Sequence, residues 1–191
     1  MSTPEPGPAP FDLADWRRRV ADLYARVRAD ADPAWAHRHW IEGRERLFRD
    51  HPCSPLPPHR RAGFSGLTCF DYDPTWRLVA GVVPLAGPSV EADLGRDGRI
   101  RFFPIARTRG LESALGRELT IYRIEGYGGG RYLYDTIKGA DLGASGSILI
   151  ADFNFAYNPS CSYSPDWVCP LAPPENHVPN PVRAGERTTT L

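Results

Sequence analysis

The sequence has no excess charge of either sign: 23 lysines and arginines balance 23 aspartates and glutamates. A neutral chain lacks the broad positive field that holds a phosphate backbone, which argues against nucleic acid as a partner. No apolar run approaches the roughly 20 residues a spanning helix needs, so a membrane is not expected as a partner either. The first ten residues, Met1 to Pro10, are proline-rich rather than basic and then apolar. They do not read as a secretory leader, and a cytoplasmic address is expected. Only four cysteines occur, Cys53, Cys69, Cys161 and Cys169. None forms the Cys-x-x-Cys pair of a zinc knuckle. Buried thiols are the first expectation in a reducing compartment, with a Cys161–Cys169 link second and a metal or catalytic role third.

Several functional signatures are missing too. Gly126-Tyr127-Gly128-Gly129-Gly130 resembles a nucleotide loop, but Arg131 stands where a dinucleotide fingerprint needs glycine, and strand-like residues follow. There is no Walker-type Gly-Lys-Ser/Thr. Neither Phe64-Ser65-Gly66 nor Ala144-Ser145-Gly146 completes a nucleophile elbow. His37, His39, His51, His59 and His177 all fall outside the predicted strands, so no metal and no cofactor is expected.

What remains is ordinary globular material, 41% hydrophobic and 24% charged, enough to bury a core and too apolar for wholesale disorder. The arm 1–10 offers nothing to pack. Residues 11–186 are expected as a single domain and 187–191 as a tail. Leu13, Trp16, Val20, Leu23 and Val27 recur at helical spacing behind Asp12, an expected cap. A second helix is predicted from Asp32, with Pro33 in its first turn, to the residues before Pro52, so that 11–50 form a helical N-terminus. His37 and His39 are two residues apart and point to different sides of that helix. A β core is predicted over 62–158, where short segments rich in Val, Ile, Tyr, Phe and Trp are separated by turn residues. These are Leu67–Tyr72, Arg77–Val83, Val90–Leu94, Arg99–Ile105, Glu118–Ile124, Arg131–Thr136 and Ile148–Phe153. Gly95-Arg96-Asp97-Gly98 is a hairpin signal between two of them. The fold class is therefore mainly β, an antiparallel sandwich or partly open barrel with two N-terminal α-helices. A long proline-rich C-terminal loop, 159–186, wraps over the sheet.

The most distinctive run lies between Gly128 and Glu186. It holds Gly129-Gly130-Arg131-Tyr132-Leu133-Tyr134-Asp135, then Asp152-Phe153-Asn154-Phe155-Ala156-Tyr157-Asn158-Pro159. Cys161 follows, then Cys169-Pro170 with Pro173-Pro174-Glu175-Asn176, and finally Ala184-Gly185-Glu186. These blocks together resemble the bacterial family catalogued as domain of unknown function 1684, over roughly Trp40 to Glu186. The resemblance implies a mainly β fold and no activity.

Read as chemistry, the run supplies carboxylates for acid–base work in Asp152 and Glu186, with Asp135 near by in sequence. Arg131 offers a forked donor suited to an anionic group. Asn154, Asn158 and Asn176 are orienting donors, and Tyr127, Tyr132 and Tyr157 give apolar faces with a hydroxyl each. Strand alternation would place Asp152 and Asn154 on one face, open at the strand end, and Phe153 and Phe155 on the other, in the core. The first expectation is a metal-independent enzyme of hydrolase or lyase type, acting on a small polar or anionic metabolite with Asp152 and Glu186 as its catalytic pair. The alternative is a non-catalytic β module that binds a small ligand or peptide. A third use of the same residues is purely structural: Asn and Asp tie irregular loops by bonding nearby backbone.

Overall fold

The computed structural model describes residues 9–93, 99–125, 142–167 and 172–187. The described chain divides into two compact units, residues 9–67 and the residues from 68 onward.

The first unit is helical. Helix α1 spans Asp12–Ala29, α2 spans Pro33–Asp50, and a single turn, α3, spans Pro58–Arg61. Asp32 caps α2 as its sequence predicts: one carboxylate oxygen accepts the amides of Ala34 and Trp35 at 2.9 and 3.1 Å, and Pro33 occupies the position whose N–H has no partner in any helix. Asp12 does not cap α1. Its carboxylate accepts the amide of Ala9 at 2.6 Å and Phe11 is the boundary residue. Tyr24 and Val27 of α1 and Ala36, Trp40, Leu47 and Phe48 of α2 are buried. Gly43 lets the helices approach closely, since a Cβ there would sit 2.7 Å from Leu23 Cδ1. His37 is buried and His39 exposed, as a two-residue offset requires. Among the described residues no helix is long and apolar enough to cross a membrane.

Among the described residues the second unit is built on one antiparallel sheet of six strands: β1 Arg77–Pro84, β2 Val90–Asp93, β3 Arg99–Arg109, β4 Thr120–Glu125, β5 Ala144–Ser145 and β6 Ile148–Asp152. Long β3 organises it. On one edge β3 pairs with β4; on the other it pairs with β2 through its first half and with β1 through its second. β1 then pairs with β6, and β6 with the two-residue β5. The predicted hairpin appears as the β2–β3 pair. The predicted segment Arg131–Thr136 lies outside the described residues.

The strands show the period of two of a pleated sheet, interrupted in β3 by a register shift against β4 between Pro104 and Ala106. Ala80, Ile100, Phe102, Ala106, Thr108, Leu149 and Ala151 are buried, and the residues between them are more exposed. Ala80 and Ala151 join Leu111 and Leu115 of the short helix α4 (Glu112–Leu115), Phe153 and Ala184 in one core cluster. Leu67–Tyr72, expected as a strand, instead makes a single bridge at Cys69, flanked by Phe70 N–H to Gly185 O at 2.9 Å and Arg187 N–H to Thr68 O at 2.8 Å.

Gly185 sits where only glycine fits. Its φ is +73°, and a Cβ would lie 2.5 Å from Ala156 O and 2.7 Å from Phe153 O. Gly146, also at positive φ (+57°), has nothing within 4 Å of such an atom. Gly146→Ala should therefore cost about 1 kcal/mol, the backbone penalty alone. Gly185→Ala should cost about 2–4 kcal/mol, because the backbone must also move. Urea unfolding of both variants checks the difference, and equal losses would contradict the packing argument.

Candidate functional site

β6 ends at Asp152, where the register pairs it with Arg77 at the start of β1. Phe153–Phe155 then form one turn of 3-10 helix, so alternation stops at Asp152 and the expected open polar face does not form. Asp152 and Asn154 are 0% exposed, as fully enclosed as Phe155 beside them at 1%.

What encloses them is their own bonding. One oxygen of Asp152 accepts the Asn154 amide at 3.1 Å and the Asn154 side-chain NH2 at 2.8 Å. The other accepts Arg77 Nη1 at 3.0 Å and lies 3.5 Å from the Tyr72 hydroxyl. The Asn154 carboxamide is paired with a distant backbone unit: its oxygen accepts Asp73 N–H at 2.9 Å while its NH2 donates to Asp73 O at 2.8 Å. A side-chain amide has the donor and acceptor of a peptide group, so here it replaces a strand that the chain does not supply.

Glu186 repeats the pattern, also at 0% exposure. One oxygen accepts the Asn158 amide at 3.0 Å and the other accepts the Tyr163 hydroxyl. Asn158 donates its side-chain NH2 to Arg187 O at 2.7 Å, and Glu186 N–H donates to Ala156 O at 2.8 Å. Tyr157 is buried in the same stretch. Asn176 repeats the Asn154 device on β4: it accepts Thr120 N–H at 2.8 Å and donates to Thr120 O at 2.9 Å, engaging the first residue of the strand. Capping a strand's backbone groups in this way also blunts an edge that would otherwise recruit other chains. Burial pushes the nearby Tyr122 phenol up, and the charge of Glu175 adds to the effect.

The other predicted residues, Tyr127, Arg131, Tyr132 and Asp135, lie outside the described residues, as does Cys169. Among the described residues no three His, Cys, Asp or Glu side chains gather as a metal site. An open groove of about 530 Å³ runs beside α1 and α2, where Asp15 pairs with Arg19 at 2.7 Å and with His51 at 3.3 Å.

The family model described as "Protein of unknown function (DUF1684)" matches residues 119–187. An uncharacterised protein of Haloarcula marismortui, solved by solution NMR, is 30% identical to this chain and superposes with a TM-score of 0.52, covering 93% of this chain and 96% of its own. The chain belongs to the DUF1684 family. No curated protein matches it. In this DUF1684 protein the matched stretch contains Asp152, Asn154, Asn158, Asn176 and Glu186, the residues that bind the irregular C-terminal chain to the sheet.

Sequence reasoning missed the partners. Arg77, Tyr72 and Asp73 stand about 80 residues before the groups they bind, and only the β1–β6 register reveals Arg77 opposite Asp152. Glu118 was also missed. It accepts the Thr108 hydroxyl at 2.7 Å and the amides of Gly110, Leu111 and Glu112 at 2.6, 3.0 and 3.3 Å. Burial raises its pKa, but these four donors together outweigh that and hold the carboxyl below its ordinary range. A depressed folded-state value means stability that is present above the ordinary range and is lost as pH falls through the folded value. Glu118→Gln should accordingly lower stability at about pH 7, and its deficit against the parent should shrink as both are taken to about pH 3. A deficit that stays constant over that interval would contradict the assignment.

Removing a staple leaves its partners unsatisfied. Asn154→Leu strands the N–H and C=O of Asp73 and one lone pair of Asp152, and should cost about 2–4 kcal/mol by denaturant unfolding. A loss under about 0.5 kcal/mol would mean that these bonds contribute no net stability.

Proposed function

We propose that this DUF1684 protein is a binding module, the second of the two readings open at the level of sequence. The observation that carries it is the complete burial of Asp152 and Glu186, with each carboxylate oxygen engaged by the protein's own donors. A general acid or base must reach the atom it protonates within hydrogen-bond distance. Metal-independent hydrolase or lyase chemistry through this pair would first require both networks to open.

The same geometry favours a binding role for Arg77. Its side chain is 37% exposed while its Nη1 is held by fully buried Asp152. A guanidinium carries five donors, so one fixed by a carboxylate still presents a rigid fork to solvent. Such a group suits the carboxylate or phosphate of a small anionic ligand or of a peptide. Asp152 is then a positioning residue that restricts the rotamers of Arg77, which lowers the entropy cost of binding.

A thermal-shift screen against small carboxylates and phosphates tests this. A ligand at about 100 times its Kd adds about 2.7 kcal/mol, a rise of roughly 5–11 °C for a chain of this size. The rise should be lost in Arg77→Gln and weakened in Asp152→Asn. Turnover of any hit that disappears specifically in Asp152→Asn or Glu186→Gln would overturn the proposal in favour of the acid–base enzyme.

A further inference from the structure

Beyond the Arg77–Asp152 pair at one end of β1, the outer face of the sheet carries exposed side chains that the hydrogen-bond networks do not use. Because paired residues of neighbouring strands point the same way, the register defines this face. Arg109 lies opposite Gly81, which lies opposite Ile148; Val79 lies opposite Ile150; Arg107 lies opposite Val83. Val79 is 63% exposed and Ile148 50%, and Arg107 and Arg109 of β3 are exposed on the same face. Two β-branched side chains at half exposure or more, on adjacent strands, with two cationic side chains beside them, form a patch of the kind that marks an interaction surface.

Charge separates the possible occupants. The exposed arginines elsewhere on β3 are answered within the sheet: Arg101 and Arg99 reach Glu91 at 2.6 and 3.7 Å. Arg77 is held by Asp152. Among the described residues Arg107 and Arg109 have no carboxylate partner. A second copy seated face to face would present the same two arginines, and Asp152, which the register places on this face, is already paired with Arg77. A small molecule wants a concave pocket, whereas this face is an open sheet. An extended partner that alternates carboxylates with aliphatic side chains satisfies both the arginines and the apolar rows.

We propose that the outer face formed by Val79, Arg107, Arg109 and Ile148 docks a protein segment whose surface combines acidic and aliphatic side chains. This deepens the binding-module reading and rests on it, but it uses cations other than Arg77, so the two fail separately. Arginine suits such a surface because its stem packs on apolar neighbours while its fork pairs with carboxylates.

The test uses the full chain and a fluorescein-labelled peptide that alternates glutamate with leucine, with a lysine–leucine peptide as control. Fluorescence anisotropy should show binding of the acidic peptide alone. Affinity should fall at least about tenfold in Arg107→Glu/Arg109→Glu and in Val79→Lys, all exposed positions expected to leave the unfolding midpoint intact. Arg77→Gln should leave it within about threefold of the parent, which separates this surface from the anion site. Absence of binding, or binding indifferent to the double variant, overturns the docking proposal while leaving the Arg77 result standing. Binding to anionic phospholipid vesicles without binding to the peptide overturns it in favour of a lipid surface. A dimer by analytical ultracentrifugation that dissociates in Val79→Lys overturns it in favour of a second copy.

Discussion

A buried peptide group must find a hydrogen-bond partner, and that requirement governs the second unit. Its C-terminal chain turns away from regular structure at Phe153 and cannot form a ladder through a stretch punctuated by prolines. Each orphaned segment is met by a side chain with the right pair of groups: Asn154 serves Asp73, Asn176 serves Thr120, and Asn158 with Glu186 ties the last described residues to the turn after β6. A neutral amide does this at little desolvation cost, because it arrives with one donor and one acceptor already matched to a backbone unit. The two carboxylates take the places where donors outnumber acceptors.

This arrangement explains how a stretch dense in polar and aromatic residues can look like an active site while being packed like a core. Its members converge because irregular chain needs them to converge. Groups in contact with solvent lie at its margin, such as Arg77, which the network orients but leaves partly in water. Further along the same face of the sheet, alternation leaves aliphatic and cationic side chains in contact with solvent.

Much of the fold was legible. The cap and proline of α2, the strands β1 and β6 and the pairing of β2 with β3 all follow from local rules that act over a few residues. The stopping point of β6 was not legible, because Asp152-Phe153-Asn154-Phe155 alternates as well as any strand. What ends it is Asp152 accepting the Asn154 amide, a bond that competes directly with extension. The segment Leu67–Tyr72 has strand composition yet keeps one bridge, since its partner Glu186 follows a bend at Ala184-Gly185 with Gly185 at positive φ. Composition picked out Asn154, Asn158, Asn176, Asp152 and Glu186 as special. It did not reveal what they bond to, because their partners, such as Asp73 and Thr120, lie 81 and 56 residues away.

Native-state hydrogen exchange tests the central claim most directly, read at the amides of Asp73, Thr120 and Asn158. These three donate to side chains of the C-terminal run rather than to a neighbouring strand. If those side chains are the bonds that hold the unit together, the three amides exchange only through large openings, with protection approaching that of the β1 and β6 amides. Exchange within about tenfold of an unstructured peptide, while β1 and β6 stay protected, would show that the run is a loosely held surface and would contradict the account.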